Sequence, residues 1–389
     1  MTMNPIPFRP VASKAPQSAE PFFGRLRAIL DTVAAHAADL DHDEASPRED
    51  IDLLAASGAL LAPLAPSFGG QGFGLSSVGA GHLARALRLI GWASLPLGRL
   101  YEGHVNALAL IQRFGTPEQI GSAAESVREG KLYGVWNTES TDAPLRIEPD
   151  SVGFRLRGGK TFASGAGFVA CPLVTARISD GPPLMILPPL GARDLHQRAD
   201  MTAWRAHGMR ASASGAFDFS GLAVTEKDIV GAPGDYHAQP HFSGGAWRFL
   251  AVQLGGIERL VDEARGHLRS VGRDSDPHQV ARMAQAAAAA ETARLWVDHA
   301  SERAEQVADG AGTIAYVNLA RGVVERAGLD VLELVHRSVG LPCFQRSHPI
   351  ERISRDLATY LRQPAPDRAL AEAGHWVLQS DGRLADFWP

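Results

Sequence analysis

The sequence predicts an α+β chain of several domains: an N-terminal helical domain, a central β-barrel or sandwich, and a C-terminal four-helix bundle. Three observations predict it. Apolar residues recur at three- and four-residue spacing up to about Gly130. From Lys131 to Tyr236 short β-forming runs alternate with Gly- and Pro-rich turns. From Phe242 onward the helical period returns. Helix, sheet, helix in one chain implies a β-domain clamped by helices. The expected boundaries are a flexible arm over 1–19, a helical domain over 20–130, the β-domain over 131–236, the bundle over 237–378 and a tail over 379–389.

Composition limits the function classes. The chain has 389 residues, 45% apolar and 21% charged, as expected of a globular protein with about two or three domains. A net charge of −5 argues against a large phosphate-backbone footprint and so against nucleic acid. Its two cysteines, Cys171 and Cys343, have neither disulfide-framework nor metal-ligand spacing, so no metal site is expected. A reducing, cytoplasmic setting follows. Met1–Glu20 has four prolines and no apolar run, which gives neither a signal peptide nor a membrane span.

The elements follow in order. Phe22, Leu26, Ile29, Leu30 and Val33 mark one face of a first helix. Ser46-Pro47 reads as the N-cap and first-turn residue of a second, which stops near Gly58. Ala62–Gly74, dense in Pro and Gly, is a fixed turn, either a connector or a ligand-lining loop. Helices are expected over Ser76–Ile90 and Leu97–Phe114, and another from a Thr116 cap with Pro117 at N1. Strands are expected over 132–136, 151–159, 173–178, 184–187 and 216–224. Helices are then expected over 242–268, 279–309 and 314–341, with a final one near His348–Leu361. Ala284–Ala290 permits close helix approach within the bundle or between subunits.

The chemistry concentrates between Tyr133 and Val174. There Asn137, Thr138 and Ser164 stand beside apolar strand residues and could grip a flat polar ligand. Taken alone, such hydroxyls are usually ordinary strand-end groups. His241 and His348 are acid–base candidates by residue type, and structural histidines are the commoner outcome.

Several segments together resemble the acyl-CoA dehydrogenase superfamily over residues 22–378. Pro66–Gly72 resembles its Pro-x-x-aromatic-Gly-Gly-x-Gly turn, and Asn137–Ser140 its Thr-Glu-Pro segment with Ser140 in place of Pro. Gly159–Ser164 resembles its Gly-x-Lys-x-Trp-Ile-Thr, and Trp204–Ser214 the segment opening the last part of its sheet. His348–Asp356 resembles its (Tyr/His)-Pro-(Val/Ile)-Glu-(Arg/Lys)-x-x-Arg-Asp. The resemblance implies a flavin, FAD or alternatively FMN. Trp136, Asn137 and Thr138 would lie along the pyrimidine edge, where donors offset the negative charge of the reduced ring. Phe162 would cover the ring, and Ser164 would lie near N5. Arg273 and Arg337 would take the pyrophosphate, although the motifs around them are incomplete and helix-surface arginines are an equal reading. The superfamily also implies a homotetramer or homodimer.

The departures concern the reaction. An acyl-CoA dehydrogenase removes the α-proton of an acyl thioester with a carboxylate while the flavin accepts hydride. Counted from the Arg-Asp motif, that carboxylate's position holds Pro364, and the alternative location, Ser243–Arg248, has no acid. Asp367 is the nearest acidic residue, a weak candidate that also reads as a helix cap. The branch without the Glu includes two-component flavin monooxygenases, which receive reduced flavin from a separate reductase and use oxygen. In them Ser164 would stand where oxygen reacts. Three readings remain open: a dehydrogenase-type flavin oxidoreductase serving an electron-transfer flavoprotein, a monooxygenase requiring a flavin reductase, and a non-catalytic binder of flavin or acyl-CoA.

Overall fold

The computed structural model describes residues 19–151, 153–306, 310–362 and 364–388. The expected N-terminal arm lies almost wholly outside these residues. Five helices come first: α1 Glu20–Asp39, α2 Arg48–Ser57, α3 Ser77–Ala93, α4 Leu95–Phe114 and α5 Pro117–Arg128. Their ends follow local chemistry. Ser76 and Ser94 accept the amides of Gly79 and Leu97 at the starts of α3 and α4. Thr116 and Gln119 form a capping box on α5. Helix α2 ends on Gly58 at φ +87°. It starts one residue later than expected: Pro47 is the N-cap, without a side-chain cap, and Ser46 lies outside.

Ten strands follow, β1 Tyr133–Trp136, β2 Arg146–Asp150, β3 Gly153–Arg157, β4 Gly159–Ala163, β5 Cys171–Ala176, β6 Leu184–Ile186, β7 Ala199–Asp200, β8 Gly215–Asp218, β9 Ala223–Val224 and β10 Ile229–Val230, with helix α6 Ala192–Arg198 before β7. They form three small sheets, ordered β1-β5-β6-β10, β2-β3-β9 and β4-β8-β7. Sequence periodicity misses β2, whose Pro149 and three exposed residues disguise the alternation. It also reads Gly158–Gly159 only as a turn, whereas Gly158 (φ +95°) leads directly from β3 into β4.

The C-terminal part comprises α7 His241–Gly244, α8 Trp247–Ser270, α9 Pro277–Ala304, α10 Gly310–Val339, α11 Pro349–Tyr360 and α12 Pro366–Gln379. The single helix expected over 242–268 is thus broken after Gly244, and the helix near 348–361 is not the last. Helix α12 escapes the pattern because it buries little beyond Ala369 and Ala373. Its Pro364 and Pro366 also read as a stop, although Pro366 in fact occupies the first turn. None of the described helices is long and apolar enough to cross a membrane.

Two contacts lock the parts of the chain together, one between the N-terminal helices and the bundle and one between the bundle and the β part. Helices α3 and α8 cross through glycines: a Cβ on Gly91 would lie 2.3 Å from the Val252 carbonyl oxygen, and one on Gly255 2.1 Å from that of Arg88. The second contact joins two motifs far apart in sequence. Asp356 of α11 accepts the amide of Met209 at 2.6 Å, while Arg355 bonds Glu351 (2.8 Å), Asp41 and the His207 carbonyl (2.9 Å). Burial, opposed by Arg352, raises the Asp356 pKa to about 6.

His104, fully buried in α4, ties the N-terminal helices to β1. Its Nε2 donates to Leu60 O at 2.9 Å and its Nδ1 accepts the Tyr133 amide at 3.0 Å, which fixes a neutral tautomer. Burial lowers its pKa from 6.5 to about 4. Between those values the unfolded chain binds a proton that the native protein refuses. The contribution is therefore complete above pH 6.5 and is lost as pH falls to about 4, roughly 3 kcal/mol in all. Urea denaturation of His104→Gln should show lower stability at pH 7 and a flatter decline from pH 6.5 to 4 than the parent. Parallel declines would count against this role.

Candidate functional site

The site is built where β1 and β4 end side by side. Lys160 of β4 is fully buried. Burial lowers its pKa, against the pull of Glu139, which keeps it charged. Its Nζ donates to Glu139 Oε1 at 2.7 Å and to Asn137 O and Thr175 Oγ1 at 3.1 Å each. The Thr175 hydroxyl in turn donates to Asn137 Oδ1 at 2.7 Å, and the Thr161 amide to Thr138 O at 3.1 Å. A buried ammonium needs all three of its donors met. Satisfying them holds the segment 137–139 rigid.

The expected cofactor residues divide by direction. Trp136 turns inward: its ring packs on Phe217 (centroids 5.3 Å apart), and its indole N–H donates to Ser164 O at 2.9 Å. Only its backbone is left to face a ligand. The Asn137 side chain also turns inward, toward Thr175. Thr138 is exposed. Ser164 is nearly buried and begins a chain of hydroxyls, 2.9 Å to Ser214 and 2.8 Å on to Ser212.

Phe162 is the anomaly. It is 61% exposed, sits at φ +50° within a β-bulge, and meets only the edge of Trp204 at 6.3 Å. An exposed large aromatic in a left-handed conformation is costly without compensation. A flat ring laid against it, with its polar edge at Thr138, would supply that compensation. These residues therefore fit a flavin.

The remaining candidates lie elsewhere. Arg273 follows α8, and with the Gln279 amide turned to suit its neighbours, Gln279 accepts from Arg273 (2.6 Å) and donates to Ser338 (3.0 Å). Arg337, next to Ser338, is exposed and pairs with Glu333 at 3.3 Å. The two arginines thus share one end of the bundle. Asp367 is exposed in the first turn of α12, where a carboxylate favours a helix start. His241 accepts a bond from Arg113 at 2.7 Å, and burial together with that cation lowers its pKa. His348 caps α11 by accepting the Ile350 amide at 3.3 Å. Among the described residues no group of three or more His, Cys, Asp or Glu is placed to hold a metal.

Sequence reading missed a charged cluster on the other side of β1. A cleft lined by Arg99, Leu100 and Gly103 of α4 and by Tyr133–Trp136, Ser164 and Val169 borders the same strand. Arg99 pairs with the buried Glu102, which also accepts from the Asn106 amide. Arg248 donates to Asn106 Oδ1 at 3.4 Å and to Glu305 at 3.2 Å, and Arg113 lies 4.0 Å from Glu305. The signal available was Arg99, Glu102 and Asn106 at helical spacing in an otherwise apolar helix. Both oxygens of Glu102 are engaged. The Ala62–Gly74 turn, left undecided by the sequence, also lines a crevice, in which Phe73, Gly74 and Leu75 face Arg248.

The fold is that of the acyl-CoA dehydrogenases, and residues 22–128 match the acyl-CoA dehydrogenase N-terminal domain. Within that fold the chain is similar to a set of flavin monooxygenases. One is a probable FMNH2-dependent monooxygenase, SfnC, of Pseudomonas putida, 22% identical over 93% of this chain and 96% of that protein. Another is the dibenzothiophene monooxygenase of Mycolicibacterium goodii, 23% identical over 86% and 88% of the two chains. Among solved structures, the FMN-bound TdsC of Paenibacillus sp. A11-2 superposes with a TM-score of 0.80 at 21% identity, covering 95% of this chain and all of that one.

Two substitutions test the local structure. Lys160→Met leaves Glu139 Oε1 and the Asn137 carbonyl without the ammonium, while Glu139 Oε2 keeps the Leu145 amide. Because Glu139 is partly exposed and can be resolvated, about 2–3 kcal/mol should be lost in denaturant titration. Phe162→Gly relieves the left-handed residue and should raise stability by up to about 1 kcal/mol in the ligand-free protein, read as a higher Tm. A lower Tm would show that Phe162 is unstrained.

Proposed function

We propose that this chain is a flavin-dependent monooxygenase that receives reduced FMN from a separate reductase and acts on a small-molecule substrate. One combination carries the reading: the flavin-edge elements are built, and the dehydrogenase carboxylate is missing. Thr138 lies on the segment after β1 that Lys160 holds, and Phe162 and Ser164 lie at the end of β4, which is bonded to it through the Thr161 amide and the Thr138 carbonyl. At the two carboxylate positions stand Pro364 and the acid-free stretch Ser243–Arg248. Asp367 faces solvent, and Glu102 is held by Arg99 and Asn106. A thioester α-proton thus finds no free base among these groups. The named relatives support oxygen chemistry on FMN.

Bound reduced flavin supplies the electrons that activate oxygen. The chain's own residues do the rest. Backbone donors at 136–138 and the Thr138 hydroxyl hold the ring's polar edge, Phe162 covers one face, and the Ser164–Ser214–Ser212 hydroxyls orient a donor toward the reacting edge. FMN is favoured over the FAD suggested by family resemblance. SfnC, a probable FMNH2-dependent monooxygenase, and the FMN-bound TdsC support that choice.

The test is anaerobic loading with photoreduced FMN, followed by rapid mixing with oxygen. The parent should bind FMNH2 more tightly than FADH2 and slow the reoxidation of the flavin at least tenfold relative to free solution. Ser164→Ala should restore fast reoxidation. Anaerobic bleaching of the oxidised flavin by a panel of acyl-CoA thioesters would instead establish a dehydrogenase.

A further inference from the structure

We propose that Arg355 and Asp356 of α11 are positioning residues for the candidate site. Their grip on residues 207–209 fixes a left-handed turn that carries Ser212 and Ser214, and so aims the Ser164 hydroxyl. The proposal rests on the flavin reading only for what Ser164 does to the flavin.

The turn is strained. Met209 sits at φ +59° and Ala213 at φ +46°, both left-handed and neither a glycine. Both are buried. A residue with a side chain keeps that backbone only where its surroundings over-determine it. Within the turn, the Ser212 amide and the Trp204 indole N–H donate to Met209 O, and the Ala213 amide to Arg210 O, each at 3.0 Å. These bonds join the segment Trp204–Ala213 to itself and anchor it to no other element.

The anchor comes from α11. Arg355 Nη1 donates to His207 O at 2.9 Å, and Asp356 Oδ1 accepts the Met209 amide at 2.6 Å, one on each side of Gly208. Gly208 lies directly on the helix backbone, since a Cβ there would stand 2.2 Å from Arg355 O. Both gripping residues are themselves braced. Arg355 pairs with Glu351 and Asp41, and Asp356 lies 3.5 Å from Arg352. Arg210, next in the turn, lies 3.7 Å from the same Asp41.

The far end of the turn meets the site. The Gly165 amide, next after Ser164, donates to Ser212 O at 2.9 Å and to Ala213 O at 3.1 Å. Ser164 Oγ meets Ser214 Oγ at 2.9 Å, and Ser214 meets Ser212 at 2.8 Å. Ser164 is thus tied to the turn twice, by its hydroxyl and by the peptide that follows it. All of these bonds are between neutral groups, and the stronger charge-assisted ones lie at the α11 end. Releasing that end lets Met209 and Ala213 relax out of the left-handed region, which turns the carbonyls of residues 212 and 213 away from Gly165.

The test uses the full chain at pH 8, where Asp356, with a pKa of about 6, is ionised. Amide hydrogen exchange is followed by NMR, with the Cys171 amide, bonded to Leu132 O, as internal reference. Asp356→Ala should speed exchange at Gly165 relative to Cys171 by about tenfold or more. Loaded with FMNH2, the same variant should lose the slow reoxidation, as Ser164→Ala does. Arg355→Gln leaves Asp356 in place and should speed Gly165 exchange by about threefold, which carries the test if Asp356→Ala does not fold. Adding Ala213→Gly, which admits φ +46° without strain, should bring both readouts back toward the parent, a rescue that a merely structural contact would not show. Equal acceleration at Gly165 and Cys171, or none at Gly165, would overturn the proposal. So would slow reoxidation retained in a variant whose Gly165 amide exchanges fast. A Gly165 response in a protein whose parent does not slow FMNH2 reoxidation would uphold the coupling and refute the flavin reading alone.

Discussion

A single buried ammonium sets the shape of the candidate site. Lys160 has no access to water, and its three donors are met by Asn137 and Glu139 from the segment after β1 and by Thr175 of β5. The desolvation cost of the charge is offset only when all three converge. The segment after β1 therefore has one conformation, and every group beyond it inherits that placement: the Thr138 carbonyl bonded to β4, the bulge that follows, and the exposed Phe162.

A second charged group performs the opposite task. The arginines and glutamates of α4, α8 and the end of α9 pair with one another, so Glu102 and Glu305 do not offer the dry, unpaired carboxylate that proton abstraction demands. The absent Glu near the Arg-Asp motif and these engaged carboxylates thus point the same way, although they lie far apart in sequence. The hydroxyl chain from Ser164 contains no charge, so it can reverse its donor direction without a proton leaving the site.

Much of this was legible in the residues. Thr116-Pro117, Gly58 and the Gly-rich turns named their own ends, because capping and left-handed backbone are local effects. Thr138, Phe162 and Ser164 could be picked out because a motif carries them. That Trp136 points its ring into the core could not, since the direction of a strand-end side chain depends on what Phe217 and Phe219 fill. Helix α12 was hidden because it covers the bundle with only Ala369 and Ala373. The Arg99–Glu102–Asn106–Arg248–Glu305 network was invisible for a different reason. Its members lie on three helices, and no one-dimensional pattern states which polar faces meet.

The glycine crossing of α3 and α8 has a mechanical corollary. With Gly91 and Gly255 each set against the opposing backbone, the two helices have no layer of side chains between them to act as a lubricant. Sliding one past the other by a turn would drive a bulky neighbour such as Arg88 or Ile257 into that seam. The N-terminal helices and the bundle are welded there, so any change of shape must be taken up away from this seam.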